Sequence, residues 1–245
     1  MAKSQAIDGR KALVWYLEPA ASETTSGALA VGDIVIVTKP GSTDFKGAKA
    51  NAPFIVTKDI TSLTDGKCIK CTPHFIGMAT DKSLNKSKNT QDVTVDADLM
   101  TNNICDGIVT TSGSISMMFS VDGKGYASTF IKQRFGAVDV YKDDGSIETL
   151  DSATDEKDLL LFAWNARDAK ADDIVEFEVI PALITSLNHS SSYGSPQSMD
   201  IDFSGNATDE NGYEARVMDI PGGKAIIEKL ATDRVGMKTD AGDNA

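Results

Sequence analysis

Histidine is scarce in this chain, with two among 245 residues, and the scarcity limits the chemistry that the chain can perform. Catalysis by an activated nucleophile needs a positioned base, which is usually a histidine. His74 and His189 lie outside any catalytic motif, and the serine-rich surroundings of His189 (NHSSSYG) are typical of a solvated loop. The patterns G-x-S-x-G, H-E-x-x-H and G-x-x-x-x-G-K-[ST] are missing as well. These absences predict a protein that is not an enzyme.

Cysteine is nearly as rare, with three residues. Cys68 and Cys71 form a C-x-x-C pair and His74 follows three residues later, so a zinc site has to be considered. A structural zinc ion needs four ligands, usually in two pairs, and the only other histidine is His189. A redox C-x-x-C needs a helix N-terminus, whereas GKCIKCTPHFIGM is typical of an extended chain. We expect reduced thiols, no bound metal and no cofactor.

Long apolar runs and an excess of positive charge are also lacking. The run LLLFAW at 159–164 is far shorter than the roughly 20 residues that cross a bilayer. The N-terminal MAKSQAIDGRK has no apolar signal segment, so we expect synthesis in a cytoplasm and no membrane binding by this chain. The 36 acidic residues outnumber the 24 basic ones, for a net charge of −12. This balance argues against a protein that holds nucleic acid by neutralising phosphates.

What the sequence does contain is a succession of short β-type segments separated by Gly, Pro and Ser. The run LLLFAW suits a buried helix or a strand, and its context favours the strand. VDVYKDDGSIETL predicts a hairpin around Asp144-Gly145. Residues 225–230 suit one helical turn or an edge strand, and 126–135 predict the one clear short helix, ended by Gly136. Other strands are predicted at 11–17, 33–39, 54–58, 67–78 and 108–121.

Residues 79–100 are polar throughout, and we predict a long loop there. A structureless segment of about 20 residues within a compact domain is uncommon and usually functional. With 41% hydrophobic residues the chain can bury a core, so we predict a single domain over 1–236 with a polar tail at 237–245.

Two segments late in the chain alternate apolar and acidic residues as half-buried strands do. In the first, Val175, Phe177 and Val179 alternate with two glutamates. In the second, Met199, Ile201 and Phe203 alternate with two aspartates. We therefore predict exposed acidic faces on two neighbouring strands. The four carboxylates are Glu176, Glu178, Asp200 and Asp202.

Several of these segments resemble the major tail tube proteins of long-tailed bacteriophages. The resemblance covers roughly 75–205 and involves strand and loop patterns: SLNKSKNTQDVT at 83–94, SGSIS at 112–116, ALITSL at 182–187 and the return strand at 199–205. The first 70 or so residues are longer than a minimal tube protein needs. An insertion at 137–157 also interrupts the family pattern.

The resemblance implies a mainly β protein, a β-sandwich or small barrel with one short flanking α-helix, assembled into stacked hexameric rings around a continuous inner β-barrel. It implies a virion tail location and a conduit for genome ejection. The implied partners are other copies of the chain, tape measure and tail-end proteins, and a sheath if the tail is contractile. Double-stranded DNA would pass through without specific binding.

Two sets of site residues accompany this resemblance. The four carboxylates are candidates for lining the lumen, where like charge lets DNA slide; the alternative is that they face outer solvent or a subunit interface. The polar loop is expected to order on assembly against a neighbouring subunit or ring. Its candidate contacts are Lys82, Ser83, Lys86, Ser87, Lys88, Thr90, Asp92 and Thr94.

Two alternatives remain open from the residues. One is another β-rich structural protein of a virion or injection system, such as a head-to-tail joining protein, a secreted tube or a decoration protein. The other is a carbohydrate-active β-sandwich enzyme, because the many acidic residues supply several carboxylate pairs without singling one out.

Overall fold

The protein is mainly β, with twelve strands and a C-terminal helix in the parts that the computed structural model describes. These parts are residues 12–76, 78–93, 102–118, 131–142, 144–153, 158–164, 169–193, 197–208 and 211–232. The elements are β1 (Leu13–Pro19), β2 (Ile34–Lys39), β3 (Ala52–Ile55), β4 (Lys67–Phe75), β5 (Met78–Val93), β6 (Asn102–Met118), β7 (Val138–Tyr141), β8 (Ile147–Leu150), β9 (Asp158–Trp164), β10 (Ile174–Ser190), β11 (Ser198–Gly205), β12 (Arg216–Pro221) and α1 (Lys224–Thr232).

Ten strands form one antiparallel sheet that folds over on itself as a sandwich. Its order is β3-β2-β4-β1-β9-β10-β11-β6-β5, and β12 pairs with β10. The 17-residue β10 belongs to both layers, because its first half pairs with β9 and β12 while its second half pairs with β11. Within the described residues the sheet is open, with β3 and β5 at its ends. The predicted sandwich is therefore confirmed, and no closed barrel forms within the described part of one chain.

The layers are held together by two main apolar clusters on opposite faces of β1, β9 and β10. One joins Trp15 and Phe177 to Ile226 and Leu230 of α1. The other joins Phe162 and residues of β1 to the inward side chains of β6 and β11. Because β9 is covered on both faces, Leu159 to Ala163 are all buried, and the apolar run appears without alternation. No helix within the described ranges is long and apolar enough to span a membrane.

A buried ion pair lies at the edge of the second cluster. Arg134 Nε donates to Asp158 Oδ1 at 3.0 Å and to Oδ2 at 3.1 Å, and Arg134 Nη2 donates to Oδ1 at 2.6 Å. Burial, reinforced by the Asp158 charge, raises the pKa of the neighbouring Tyr16 hydroxyl well above its ordinary value. Arg134 follows the helical residues 131–133, so the end of the predicted helix at 126–135 is helical, while 126–130 lie outside the described residues.

Several sequence predictions are confirmed, one is wrong and one strand was missed. Strand β9 and the β7–β8 hairpin form as predicted, with Gly145 at φ 82° in the hairpin turn, and 224–232 form a helix. The predicted loop at 79–100 is wrong, because 78–93 form β5, the outer strand of a long hairpin with β6. Residues 94–101 lie outside the described residues. Strand β12 was not predicted at all, since RVMDIP is short and weakly alternating.

Two aspartates connect two loops near β2 and β4 through hydrogen bonds. Asp44 Oδ2 accepts hydrogen bonds from the amides of Thr64, Asp65 and Gly66 at 2.7, 2.9 and 2.8 Å. In return, Asp65 Oδ2 accepts from the amide and the hydroxyl of Ser42, each at 2.6 Å. The hydrogen bonds that Asp65 accepts lower its pKa from the ordinary 3.8 to about 2, with the Ser42 hydroxyl as the largest cause.

This depressed pKa predicts a stability contribution that is complete above the unfolded-state pKa and is lost as the pH falls through the folded-state pKa. The thermal midpoint of the Asp65→Asn variant should therefore lie below that of the wild type at pH 5 and above. The difference should shrink as the pH falls from about 4 to 2, because Asp65 is progressively protonated and approaches the neutral state of the asparagine variant. Thermal unfolding followed by circular dichroism across this range checks it. A difference independent of pH would contradict the assignment.

Candidate functional site

Four strands of the second layer form a surface that we call the polar sheet: the second half of β10, then β11, β6 and β5. One face of this sheet covers the second apolar cluster with Met199, Ile201, Phe203, Ile115 and Met117. Gly113 is required on that face, because an added Cβ would lie 2.4 Å from Phe203 Cζ. The opposite face is the polar face.

The polar face follows from the strand register, since directly paired residues share a face. Asp202 pairs with Ser186 and Ser114, and Asp200 pairs with Asn188 and Ser116. The positions on this face hold three carboxylates and no Lys or Arg within four segments of the strands. These segments are 81–87, 110–116, 186–190 and 198–204. Its polar residues are Asp81, Ser83, Asn85, Ser87, Thr110, Ser112, Ser114, Ser116, Ser186, Asn188, Ser190, Ser198, Asp200, Asp202 and Ser204.

Hydroxyl groups link neighbouring strands across the polar face. The hydroxyls of Ser83 and Ser114 lie 2.8 Å apart, and those of Ser190 and Ser198 lie 2.6 Å apart. Ser186 Oγ donates to Asp202 Oδ2 at 2.6 Å. Because these side chains already bind each other, the face is a smooth polar surface with ordered side chains.

Two of the four predicted lumen carboxylates lie on the polar face and two do not. Asp200 and Asp202 lie there, whereas Glu176 and Glu178 lie on the other face of β10, and the structure does not bring the two pairs together. The reason is a β-bulge between Ile184 and Ser186, which exchanges the two faces of β10 along its length. Sequence alternation alone could not show this extra residue.

The predicted exposure of Glu178 is wrong, although Glu176 is exposed. Glu178 is only 4% exposed and forms an ion pair with Lys86, which comes from β5 in the opposite part of the fold. A buried carboxylate needs such a partner. The Lys86–Glu178 pair therefore ties the outer strand of the polar sheet to the first layer.

Seven of the eight candidate contact residues of the predicted loop lie in β5, and those between 82 and 88 are divided between its two faces. Ser83 and Ser87 lie on the polar face, while Lys82, Lys86 and Lys88 lie on the face that points towards the first layer. Thr90 and Asp92 are also in β5, and Thr94 lies outside the described residues. The serines of β6 were missed as site residues, although their alternation in SGSIS was a usable signal.

The polar sheet has two margins that pair with no strand within the described residues. One is the outer edge of β5, at the end of the sheet order. The other is β10 beyond Ala182, because β9 pairs with 176–182 on that edge while β11 occupies the other. Unpaired strand edges present rows of backbone donors and acceptors and can add further strands.

Within the described residues, neither the two buried thiols nor a pocket beside β2 shows a catalytic arrangement. Cys68 and Cys71 are buried in different apolar clusters, and burial raises their pKa values to about 11 and about 12. His74 Nε2 lies 2.7 Å from Glu18 Oε2. A pocket of ≈ 280 Å³ between β2, β4 and α1 is lined by a single carboxylate, Asp33, which is already bound to Lys229 at 2.7 Å.

The Lys86–Glu178 pair predicts a specific stability effect. The Lys86→Met variant should lose about 1–3 kcal/mol of unfolding free energy, because Glu178 is left buried without its partner. The double variant Lys86→Met, Glu178→Leu should recover most of the loss. Lys88→Met, on the same face of the same strand, is the matched control and should stay within about 0.5 kcal/mol of the wild type. Urea unfolding measures the unfolding free energy of the wild type and the three variants. Equal losses for Lys86→Met and Lys88→Met would contradict the pairing.

Comparisons with known proteins give structural likeness alone. No family model matches the chain, and no curated protein matches it. A chain in the tail of an empty gene transfer agent particle, solved with C6 symmetry, has 15% identity and a TM-score of 0.35, covering 56% of this chain and 84% of that one. A chain in the six-fold symmetrised baseplate of the anti-feeding prophage has 8% identity and a TM-score of 0.42, covering 89% and 97%. A chain in the sheath/tube terminator of an extracellular contractile injection system has 10% identity and a TM-score of 0.40, covering 89% and 99%. These three chains come from tail and injection particles.

Proposed function

We propose that this protein is a structural subunit that polymerises through the margins of its polar sheet into rings, which stack as a tail tube. The observation that carries the proposal is a four-stranded sheet with one polar face, one face that covers the second apolar cluster, and two margins that pair with no strand among the described residues. The sequence resemblance to tail tube proteins supports the same role and implies that the rings are hexameric.

Strand direction makes ring closure favourable. Every pairing in the polar sheet is antiparallel, so the four strands alternate in direction and β5 runs opposite to β10. In copies that are related by rotation about a common axis, equivalent strands run in the same direction relative to that axis. The β5 margin of one copy therefore meets the β10 margin of the next in antiparallel fashion, and a closed ring leaves no open margin.

The polar face is the surface that lines the bore in this arrangement, because the other face is covered by the first layer. Asp81, Asp200 and Asp202 then give the bore a negative charge, without the lysines of β5, which lie on the opposite face. Like charge repels the phosphates of double-stranded DNA, so DNA would pass without being held. Tape measure and tail-end proteins, and a sheath in a contractile tail, would be the further partners.

Cross-linking between margins tests the assembly. A chain with Asn188→Cys on β10 and one of Ser83→Cys, Asn85→Cys or Ser87→Cys on β5, in a Cys105→Ser background, should form disulfides between copies. Within one chain these positions are about three strand spacings apart, roughly 14 Å, which is too far for a disulfide. Mild oxidation should give a ladder of covalent oligomers for at least one pair.

The chains with one introduced cysteine are the controls, because Cys68 and Cys71 are buried and each such chain can form dimers and nothing larger. Electron microscopy of the reduced wild type should show tubes, whereas rings of one layer would indicate a joining protein. A chain that stays monomeric at high concentration and gives no ladder with any of the three pairs would overturn the proposal.

Charge reversal on the polar face tests the bore. Tubes of the Asp200→Lys, Asp202→Lys variant should retain double-stranded DNA in a salt-sensitive manner, since two cations per subunit would face the phosphates. Wild-type tubes should not retain it. The matched control reverses two exposed carboxylates elsewhere, Asp172→Lys and Asp219→Lys. Co-sedimentation with labelled DNA gives the measurement, and equal retention by both variants would contradict the lumen assignment.

A further inference from the structure

The small hairpin of β7 and β8 stands apart from the main sheet and exposes an apolar pair near its turn. Tyr141 and Ile147 are paired across the hairpin and are 74% and 53% exposed. Asp139 and Thr149 share that face, with Thr149 Oγ1 donating to Asp139 Oδ1 at 2.6 Å. We call this face the acidic ribbon. Asp139 is the carboxylate of the paired strands on this face, while Glu148 lies on the opposite face and forms an ion pair with Lys142 at 3.0 Å.

The base of the hairpin is fixed although its outer part is exposed. Gln133 Nε2 donates to the carbonyl oxygen of Asp151 at 2.7 Å, and Arg134 Nη1 donates to that of Ala153 at 3.2 Å. Arg134 is itself held by the buried pair with Asp158. An isolated two-stranded hairpin is marginally stable in water, so this one gains from any surface that covers it.

A surface of opposite charge lies on the inward face of the β5–β6 hairpin, beyond the Lys86–Glu178 pair. Lys86 pairs with Thr111 and Lys88 with Val109, so all four side chains share that face, and Val109 is 50% exposed. We call this face the basic overhang. Residues 82–88 contain three lysines and no carboxylate.

We propose that the acidic ribbon of one copy binds the basic overhang of another. Both faces are two-stranded, and each joins an exposed apolar side chain to charge of one sign. Tyr141 and Ile147 would pack on Val109, with Asp139 near Lys88 and the lysine chains beside the Tyr141 ring. The proposal rests on the self-assembly proposed above and assigns the insertion at 137–157 a role in it.

The partner is a second copy rather than the same chain, because Tyr141 and Val109 both remain at least half exposed within one copy. Two different complementary faces on one chain give a head-to-tail contact, which repeats from copy to copy. Such a contact joins rings or neighbouring subunits without using the sheet margins.

A charge exchange tests the contact. Asp139→Lys and Lys88→Asp should each raise the critical concentration for assembly by about tenfold. The double variant Asp139→Lys, Lys88→Asp should return it to within about twofold of the wild type, because the pair is restored with its signs exchanged. Tyr141→Ser should raise it without rescue by either charge change. Sedimentation measures the critical concentration, and circular dichroism verifies that each variant is folded.

The controls are Lys39→Asp and Asp172→Lys, which make the same charge changes at exposed positions elsewhere. Single variants that behave like these controls, or a double variant without rescue, would overturn this inference while leaving the tail-tube proposal intact. Association that depends on Asp139 and Lys88 but never yields rings would overturn the tube proposal and uphold the contact. A wild-type chain that stays monomeric at every concentration would overturn both.

Discussion

The course of β10 through both layers of the sandwich is the constraint on which the rest of the structure depends. From Phe177 to Ala182 the strand is buried on both faces, and its second half covers the core with one face only. The bulge between Ile184 and Ser186 lies at this change. Because side chains alternate with a period of two, one extra residue turns Glu178 towards the interior and Ser186 towards the polar face. The contribution of β10 to the polar face is thus a consequence of one local irregularity.

The second consequence of this architecture is that the polar sheet has two margins without a paired strand among the described residues, and that the margins are protected against wrong pairing. Lysines that point inward along an outer strand discourage indiscriminate pairing, because a wrongly placed neighbour has to accommodate their charge. Lys86 is held by Glu178, so the strand is also fixed in position before any partner arrives. The hydroxyl and carboxylate groups of the polar face bind each other within one copy. The proposed assembly would therefore require little further ordering of these side chains, which favours a defined mode of association over a general one.

Much of the fold was predictable because burial leaves a pattern. The run at 159–164, the alternation at 199–203 and the Asp144-Gly145 turn each predicted the element that forms. Strand β5 was not predictable in this way. Its outward face holds Asp81 with Ser and Asn residues and its inward face is largely Lys, so neither face shows the apolar alternation by which strands are recognised. Its pairing with β6, rather than its own residues, makes it a strand.

The candidate functional site was also predictable in part from the sequence and in part only from the structure. The sequence alone determined the β class, the acidic balance, the lack of a catalytic histidine motif and the outward positions of Asp200 and Asp202, because these follow from residue type and from a period of two within one strand. Only the tertiary structure decided that Glu178 is buried against Lys86, that 78–93 is a strand and that two margins pair with no strand in the described part of the chain. Each of these depends on contacts between residues far apart in the chain, and such contacts leave no local periodicity from which to infer them.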